Sequence, residues 1–192
     1  MSRPSAHPDL RRVAVVGSSC SGKTTFSRLL ARRLAHRHIE LHELYWRPGW
    51  TSAPAEEFRT LVDGATSADA WIADGSYTKV SDLVWGRATA LIWLDVPFRV
   101  TFGRAFARTL RRLVTRETLF AGNRESPNVA DPDWIPWWVL RTHHRRRREY
   151  ERMLEDPAFG HLGVVRLRSA GASVAFVARL PATARSAPAL RA

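Results

Sequence analysis

Short apolar runs alternate along this chain with longer stretches in which apolar residues recur at helical spacing. The short runs are typical of buried parallel strands, and the spaced pattern is typical of amphipathic helices. The predicted strands are 12–16, 38–41, 70–73, 88–94 and 164–167. The predicted helices are 23–36, 53–66, 98–114, 135–154 and 173–180, with Ser52 as the N-cap of the second. This alternation predicts an α/β fold with helices on both faces of a parallel sheet.

One long stretch, about 115–134, has no clear period and contains Gly122 and Pro127, so we expect a mobile loop or lid there. The ends, 1–10 and 181–192, are expected to be disordered. The remaining residues, 11–180, are predicted to form a single domain, because their number suits one α/β domain.

Composition and charge narrow the choice of partners. The hydrophobic share of 45% allows a buried core, and the formal charge is +12 although Lys23 and Lys79 are the only lysines. Such an excess of arginine favours anionic partners, whether nucleotides, nucleic acid or an acidic membrane surface, without choosing among them. Cys20 is the only cysteine, which excludes an intrachain disulfide. With no apolar run long enough to span a bilayer, we expect a cytoplasmic protein without a membrane span, as a monomer or weak dimer.

The strongest motif follows the first predicted strand and has the pattern G-x-x-x-x-G-K-[ST]. Its strand and helix flanks are both predicted, as a phosphate-binding loop requires. Small residues let backbone N–H groups surround an anion, and the helix N-terminus adds partial positive charge. The predicted nucleotide-binding residues are Gly17, Ser18, Ser19, Cys20, Ser21, Gly22, Lys23, Thr24 and Thr25.

The loop also predicts a catalytic and a metal-binding role for individual side chains. Lys23 is expected to reach the outer phosphates, and the Thr24 hydroxyl to ligate Mg²⁺. A carboxylate at the end of a neighbouring strand usually completes such a site, and both Asp74 and Asp95 follow predicted strands. We favour Asp74, because ligands collect where strands open into loops, whereas Asp95 can equally cap the next helix.

Arginines are concentrated on two predicted helices. Arg104, Arg108 and Arg112 recur every four residues, so they form either a solvated row or a site for an anionic ligand, which Arg124 of the lid can join. The run 145–148 is likewise either a solvated helix face or a nucleic-acid contact. The predicted catalytic residues are Lys23, Asp74, Arg104 and Arg108.

Taken together, these residues resemble the P-loop kinases of the adenylate-kinase-like superfamily, in particular the bacterial topology modulation or adenylate-kinase-like proteins. The resemblance spans about 12–180. It rests on the phosphate loop and on the segments Tyr45-Trp46-Arg47-Pro48-Gly49-Trp50, Trp71-Ile72-Ala73-Asp74-Gly75-Ser76-Tyr77, Trp93-Leu94-Asp95-Val96-Pro97, Arg104-x-x-x-Arg108 and Gly122-Asn123-Arg124-Glu125.

The resemblance implies a three-layer α/β/α P-loop NTPase fold with a five-stranded sheet of order 2-3-1-4-5 and a lid after the fourth strand. It implies that Asp74 supports the metal and acceptor side, and that Arg104 and Arg108 contact the adenine and the phosphates. Two departures concern the acceptor side. Ser76, Tyr77 and Lys79 replace a proline and a phosphate-binding arginine, and His42, with Glu43 beside it, occupies the place of an aspartate.

The predicted function is transfer of the γ-phosphoryl group of ATP·Mg²⁺ to a small-molecule acceptor, nucleotide-like or not. The predicted acceptor-site residues are His42, Glu43, Trp46, Tyr77, Lys79 and Arg124. Two alternatives remain open: a nucleic-acid-associated NTPase or DNA-end kinase, and a nucleotide-binding regulator that does not turn over.

Overall fold

A computed structural model describes residues 8–124, 128–129, 131 and 134–181. The disorder expected at 1–7 and 182–192, and the parts of the expected lid at 125–127, 130 and 132–133, lie outside the described residues.

Five parallel strands form one sheet of order β2-β3-β1-β4-β5. The strands are β1 (Arg12–Gly17), β2 (Arg37–Glu40), β3 (Trp71–Asp74), β4 (Ala90–Leu94) and β5 (Gly163–Leu167). The three central strands are almost entirely buried, because helices cover both faces of the sheet. The predicted α/β fold and the sheet order implied by the resemblance are therefore confirmed.

Seven α-helices accompany the strands in the described part of the chain. They are α1 (Lys23–Leu34), α2 (Leu41–Tyr45), α3 (Ala55–Ala65), α4 (Ser81–Arg87), α5 (Phe98–Thr115), α6 (Ile135–Glu155) and α7 (Ala170–Arg179). The alternation of side chains along each strand divides the core into two layers. Val13 and Val15 pack with α1 and α7, whereas Ala14 and Val16 belong to the layer built from α3, α4 and α6.

The sequence did not predict two short helices, α2 and α4. The prediction that Ser52 caps the following helix is wrong. Ser52 forms an isolated antiparallel bridge with Trp46, and α3 begins at Ala55, directly after Pro54. The last helix begins at Ala170, earlier than predicted, because the Ser169 side chain accepts a hydrogen bond from the Ala172 N–H and caps it there.

The register brings particular residues to one edge of the sheet. Asp74, the last residue of β3, pairs with Val15 of β1 and with Glu40, the last residue of β2. Gly17, the last residue of β1, pairs with Leu94 of β4. The carboxyl ends of the central strands therefore meet where the phosphate loop begins, which is where open α/β sheets bind ligands. None of the helices in the described residues is long and apolar enough to cross a membrane.

Candidate active site

The phosphate loop connects β1 to α1 and depends on glycine at both ends. A Cβ atom at Gly17 would lie 2.7 Å from the Leu94 carbonyl oxygen, and Gly22 has a φ of 94° that favours glycine. Gly22 is also the N-cap of α1, and no side chain caps the helix there. The first N–H groups of α1 therefore point toward the loop and can bind an anion.

Lys23 lies at the centre of this loop. Its Nζ atom donates hydrogen bonds to the carbonyl oxygens of Gly17 and Ser18, each over 3.0 Å. The pKa of Lys23 is lowered to about 8, mainly by burial; the nearby Arg146 and Arg108 act in the same direction and Asp74 acts in the opposite one. Such a lysine gains from an anionic neighbour, because phosphate charge would offset the loss of hydration.

Three oxygen-bearing side chains converge beside Lys23. The Thr24 hydroxyl donates to Glu40 Oε1 over 3.2 Å and lies 3.3 Å from Asp74 Oδ1. Burial raises the pKa of Glu40, and the neighbouring Asp74 raises it further. Both carboxylates have a second partner, since Arg28 donates to Glu40 over 3.1 Å and His38 Nε2 lies 2.6 Å from Asp74 Oδ2.

This arrangement fits Mg²⁺, which takes oxygen ligands and usually keeps several waters. A divalent cation would relieve the repulsion between the carboxylates of Glu40 and Asp74. In the part of the chain that the structure describes, no three His, Cys, Asp or Glu side chains could hold a metal by themselves. Metal binding here therefore needs the Thr24 hydroxyl and ligand oxygens as well. Sequence reasoning missed Glu40, although its place at the end of the second strand was the available signal.

Arginines from two helices face the loop. Arg104 of α5 has a terminal nitrogen 3.4 Å from the Ser21 carbonyl oxygen. Arg108 lies one turn later and acts electrostatically on both Lys23 and His42. Its Nε atom is buried and has no hydrogen-bond partner among the described residues. Arg146 of α6 donates to the Ser76 carbonyl oxygen over 2.7 Å. The side chains of Arg104 and Arg108 are thus close to where bound phosphates would lie.

The basic run on α6 is divided between different surroundings. Arg146 lines the cleft, and Arg147 lies 3.5 Å from Asp95 and 3.6 Å from Glu151. Arg145 and Arg148 are exposed, and neither of them takes part in an ion pair among those described for this part of the chain. The run is therefore not one uniformly solvated face.

Asp95 belongs to an ion-pair cluster. Its carboxylate accepts a hydrogen bond from Arg166 Nε over 2.9 Å and also approaches Arg147 and Arg168. The alternative that Asp95 caps the next helix does not hold, because Pro97 is the N-cap of α5 and no side chain caps it. The guanidinium of Arg166 also lies 4.0 Å from the centre of the Trp93 ring. Asp95 therefore fixes β5 and α6 to the end of β4.

Aromatic side chains line a second part of the cleft, beside the phosphate loop. The His42 ring, on α2, lies 5.2 Å from the Tyr77 ring and 5.8 Å from the Phe120 ring. Burial lowers the pKa of His42 to about 4, and the positive charge of Lys23 adds to the effect. Burial also raises the pKa of Tyr77. His42 and Tyr77 are accordingly neutral near pH 7.

The other expected acceptor-site residues differ in exposure. Trp46 is half-buried and lines the cleft, with its ring edge-on to that of Tyr45 at 5.0 Å. Glu43 and Lys79 are exposed at the rim of the same cleft. Arg124 is exposed, and its carbonyl oxygen accepts a hydrogen bond from the Trp50 indole.

One cleft of about 1760 Å³ joins the two sides. It is lined by the phosphate loop, by α5 arginines, by the aromatic residues and by Leu119, Phe120 and Ala121 of the segment after α5. Of the nine predicted nucleotide-binding residues, Ser18 alone does not line it, and Thr25 lies on the exposed side of α1. Its size and its two chemically different ends suit a nucleotide and a second small molecule together.

The fold is similar to those of several solved structures. One is a shikimate kinase from Acinetobacter baumannii in complex with shikimate, with a TM-score of 0.53 and 18% identity over 89% of this chain and 90% of that chain. A gluconokinase from Sinorhizobium meliloti 1021 matches with a TM-score of 0.51 and 15% identity over 90% and 94%. A shikimate kinase from Bacteroides thetaiotaomicron matches with a TM-score of 0.50 and 14% identity over 88% and 94%.

Comparisons of the sequence give no such match: no protein-family model matches the chain, and no curated protein sequence matches it significantly. At identities this low, the structural similarity establishes the P-loop kinase fold and leaves the activity to the chemistry of the cleft.

Proposed function

We propose that this chain is a P-loop kinase that transfers the γ-phosphoryl group of ATP·Mg²⁺ to a small-molecule acceptor. One observation carries the proposal: the partly buried Lys23 ammonium lies within a glycine-bordered loop at the start of α1, 3.0 Å from two loop carbonyls. The names of the similar structures, shikimate kinase and gluconokinase, support a small acceptor over a macromolecule.

The loop and its neighbours would hold the donor. Backbone N–H groups of Ser18–Thr24 and the Lys23 ammonium would bind the phosphates, and Thr24 with Glu40 and Asp74 would hold Mg²⁺ directly or through water. When bound, Mg²⁺ neutralises charge on the β- and γ-phosphate oxygens. Arg104 and Arg108 add positive charge next to the loop. Positioning and charge neutralisation therefore supply the catalysis without a covalent enzyme intermediate.

The aromatic end of the cleft is our proposed acceptor site. His42, Trp46 and Tyr77 would contact the acceptor, and Glu43 and Lys79 are the candidates at its border, whereas Arg124 does not line the cleft. Arg146 acts electrostatically on Lys23 and on His42 and Tyr77, so it can bind negative charge on either substrate. The membership in the topology modulation proteins, the cytoplasmic location and the monomeric or weakly dimeric state remain predictions.

The structure bears on both alternatives. A DNA-end kinase would need a continuous basic surface, but the run on α6 divides between the cleft and the Asp95 cluster. A regulator without turnover would need neither the arginines beside the loop nor an acceptor-sized space. Retention on DNA at about 0.15 M salt that disappears in an Arg145→Ala/Arg148→Ala variant would favour the nucleic-acid function.

The test combines nucleotide binding with a screen for phosphoryl transfer. Purified protein is given ATP and Mg²⁺ with a metabolite library that includes shikimate and gluconate, and γ-phosphate transfer is measured. We expect transfer to a small molecule, and at least a ~100-fold loss in Lys23→Ala, in line with the loss of a phosphate-binding charge.

The matched control is Arg32→Ala, which removes an exposed cation from the last turn of the same helix and should keep full activity. Retained turnover in Lys23→Ala, or no Mg²⁺-dependent affinity of the unaltered protein for any purine triphosphate, would rule the proposal out.

A further inference from the structure

Two turns that are distant in the sequence meet above the proposed acceptor site. The acceptor-side turn, residues 46–53, is closed by the bridge between Trp46 and Ser52 and by a hydrogen bond from the Arg47 N–H to the Thr51 carbonyl over 2.9 Å. It follows α2 directly, so it shares a short connection with His42. Its conformation is thus set by its own backbone hydrogen bonds.

The lid turn, residues 118–124, is closed in a similar way. Thr118 and Arg124 form an antiparallel bridge, and the Leu119 N–H donates to the Asn123 carbonyl over 2.7 Å. Phe120, at the start of this turn, places its ring 5.8 Å from the His42 ring. The lid turn therefore reaches the aromatic end of the cleft.

The Asn123 side chain joins these two turns. Its Oδ1 atom accepts from the Trp50 N–H over 3.0 Å, and its Nδ2 atom donates to the Arg47 carbonyl oxygen over 2.8 Å. The Trp50 indole adds a third bond, to the Arg124 carbonyl oxygen over 2.9 Å. Asn123 is only 6% exposed, so its amide is satisfied on both sides by the opposite turn.

The backbone of the acceptor-side turn is shaped for this contact. Trp50 has a φ of 55°, in the left-handed region that side chains other than glycine rarely adopt. Strained conformations of this kind persist where surrounding contacts hold them, and here the main chain and the indole of Trp50 are both bound to the lid turn.

We propose that Asn123 is a positioning residue that clamps the lid turn onto the acceptor-side turn and thereby keeps water out of the acceptor end of the cleft. That the clamp keeps water from an acceptor rests on the proposed function, whereas the contact between the two turns does not. Asn123 joins the segment Trp46–Trp50 to the segment Gly122–Arg124. The proposed phosphate chemistry gives neither segment a role.

The experiment measures backbone amide exchange and ATP hydrolysis in the unaltered protein and in Asn123→Ala. The probe is ATP with Mg²⁺ and no acceptor. Loss of two hydrogen bonds should raise exchange at the Trp50 N–H and in the lid turn by about tenfold or more. Hydrolysis should rise several-fold with an unchanged KM for ATP, because Asn123 has no contact with the phosphate loop among the described hydrogen bonds.

Two further variants complete the design. Trp50→Phe keeps an aromatic ring but removes the hydrogen bond from the indole to the Arg124 carbonyl oxygen, and we expect a smaller effect in the same direction. Thr60→Ala removes an exposed side-chain hydrogen bond within α3, to the Glu56 carbonyl oxygen, and should alter neither measurement. Unchanged exchange in either turn of Asn123→Ala would overturn the clamp, and so would hydrolysis that does not rise when the unaltered protein does hydrolyse ATP. If the unaltered protein neither binds nor hydrolyses ATP, the proposed function fails, and the exchange rates alone then decide on the clamp.

Discussion

The protonation of Lys23 predicts how nucleotide affinity depends on pH. Burial lowers its pKa to about 8 from the ordinary 10.5, so the free protein loses this positive charge as the pH rises through 8. Bound phosphates favour the charged form, and binding therefore takes up a proton in this range. Affinity for ATP·Mg²⁺ should then follow the protonated fraction of Lys23 in the free protein.

The size of the effect follows from that pKa. At pH 9 roughly one molecule in ten would still carry the charge, so we expect affinity about tenfold weaker than at pH 7, or ~1.4 kcal/mol. The unfolded chain binds this proton more tightly than the folded chain does. The stability of the free protein should consequently rise between about pH 8 and pH 10.5, whereas the affinity for ATP·Mg²⁺ should fall as the pH rises.

Titration calorimetry with a non-hydrolysable ATP analogue and Mg²⁺, from pH 7 to pH 9, measures this dependence. Repeating the titration at pH 8 in buffers of different ionisation enthalpy should show uptake of about half a proton. The dependence should persist in Cys20→Ser, which removes the only thiol, and should be flat in Lys23→Arg. A flat profile in the unaltered protein, or a slope that vanishes in Cys20→Ser, would refute this view of Lys23.

Two further predictions concern stability. Asp95→Asn leaves Arg166 without its carboxylate, and we expect the free energy of unfolding to fall by about 2 kcal/mol while ATP affinity is unchanged. This value is below the range for buried ion pairs because Arg166 is partly exposed. A thermal midpoint within error of that of the unaltered protein would contradict this prediction. Gly75→Ala would place a Cβ atom 2.7 Å from Leu41 Cβ at a φ of 146°, so urea unfolding should show a loss of about 2 kcal/mol. Gly64→Ala, whose Cβ meets nothing within 4 Å, is its control and should be neutral or stabilising.

The sequence was sufficient for those parts of the fold that have strong local patterns. The buried run before Gly17 and the amphipathic pattern after Lys23 identified β1, the loop and α1. The helices α2 and α4 were missed because they are short: α2 has 5 residues and α4 has 7, too few for a helical period to show. Ser52 was assigned to a helix because its residue type suits an N-cap, but its backbone pairs with Trp46.

Residue roles were harder to predict, because they depend on which way a side chain points. Glu40 comes two residues before the predicted candidate His42, and only the register of β2 with β3 shows that it lies beside Asp74 and faces Thr24. The run on α6 shows the same limit. Arg146 and Arg147 are neighbours in sequence but lie about 100° apart around a helix, so one lines the cleft and the other pairs with Asp95.

The shared direction of the five strands has a consequence for how this protein can be modified. Every loop that supplies the proposed chemistry follows the carboxyl end of a strand, at one margin of the sheet. At the other margin, where the strands begin, the Thr89 hydroxyl donates to the Asp9 carbonyl oxygen and the Asp9 carboxylate pairs with Arg11. A dye, an affinity tag or a surface attachment placed near exposed His161 would thus be a full strand length away from the proposed nucleotide site. Engineering at that far margin and tuning of the reaction are separable tasks in this molecule.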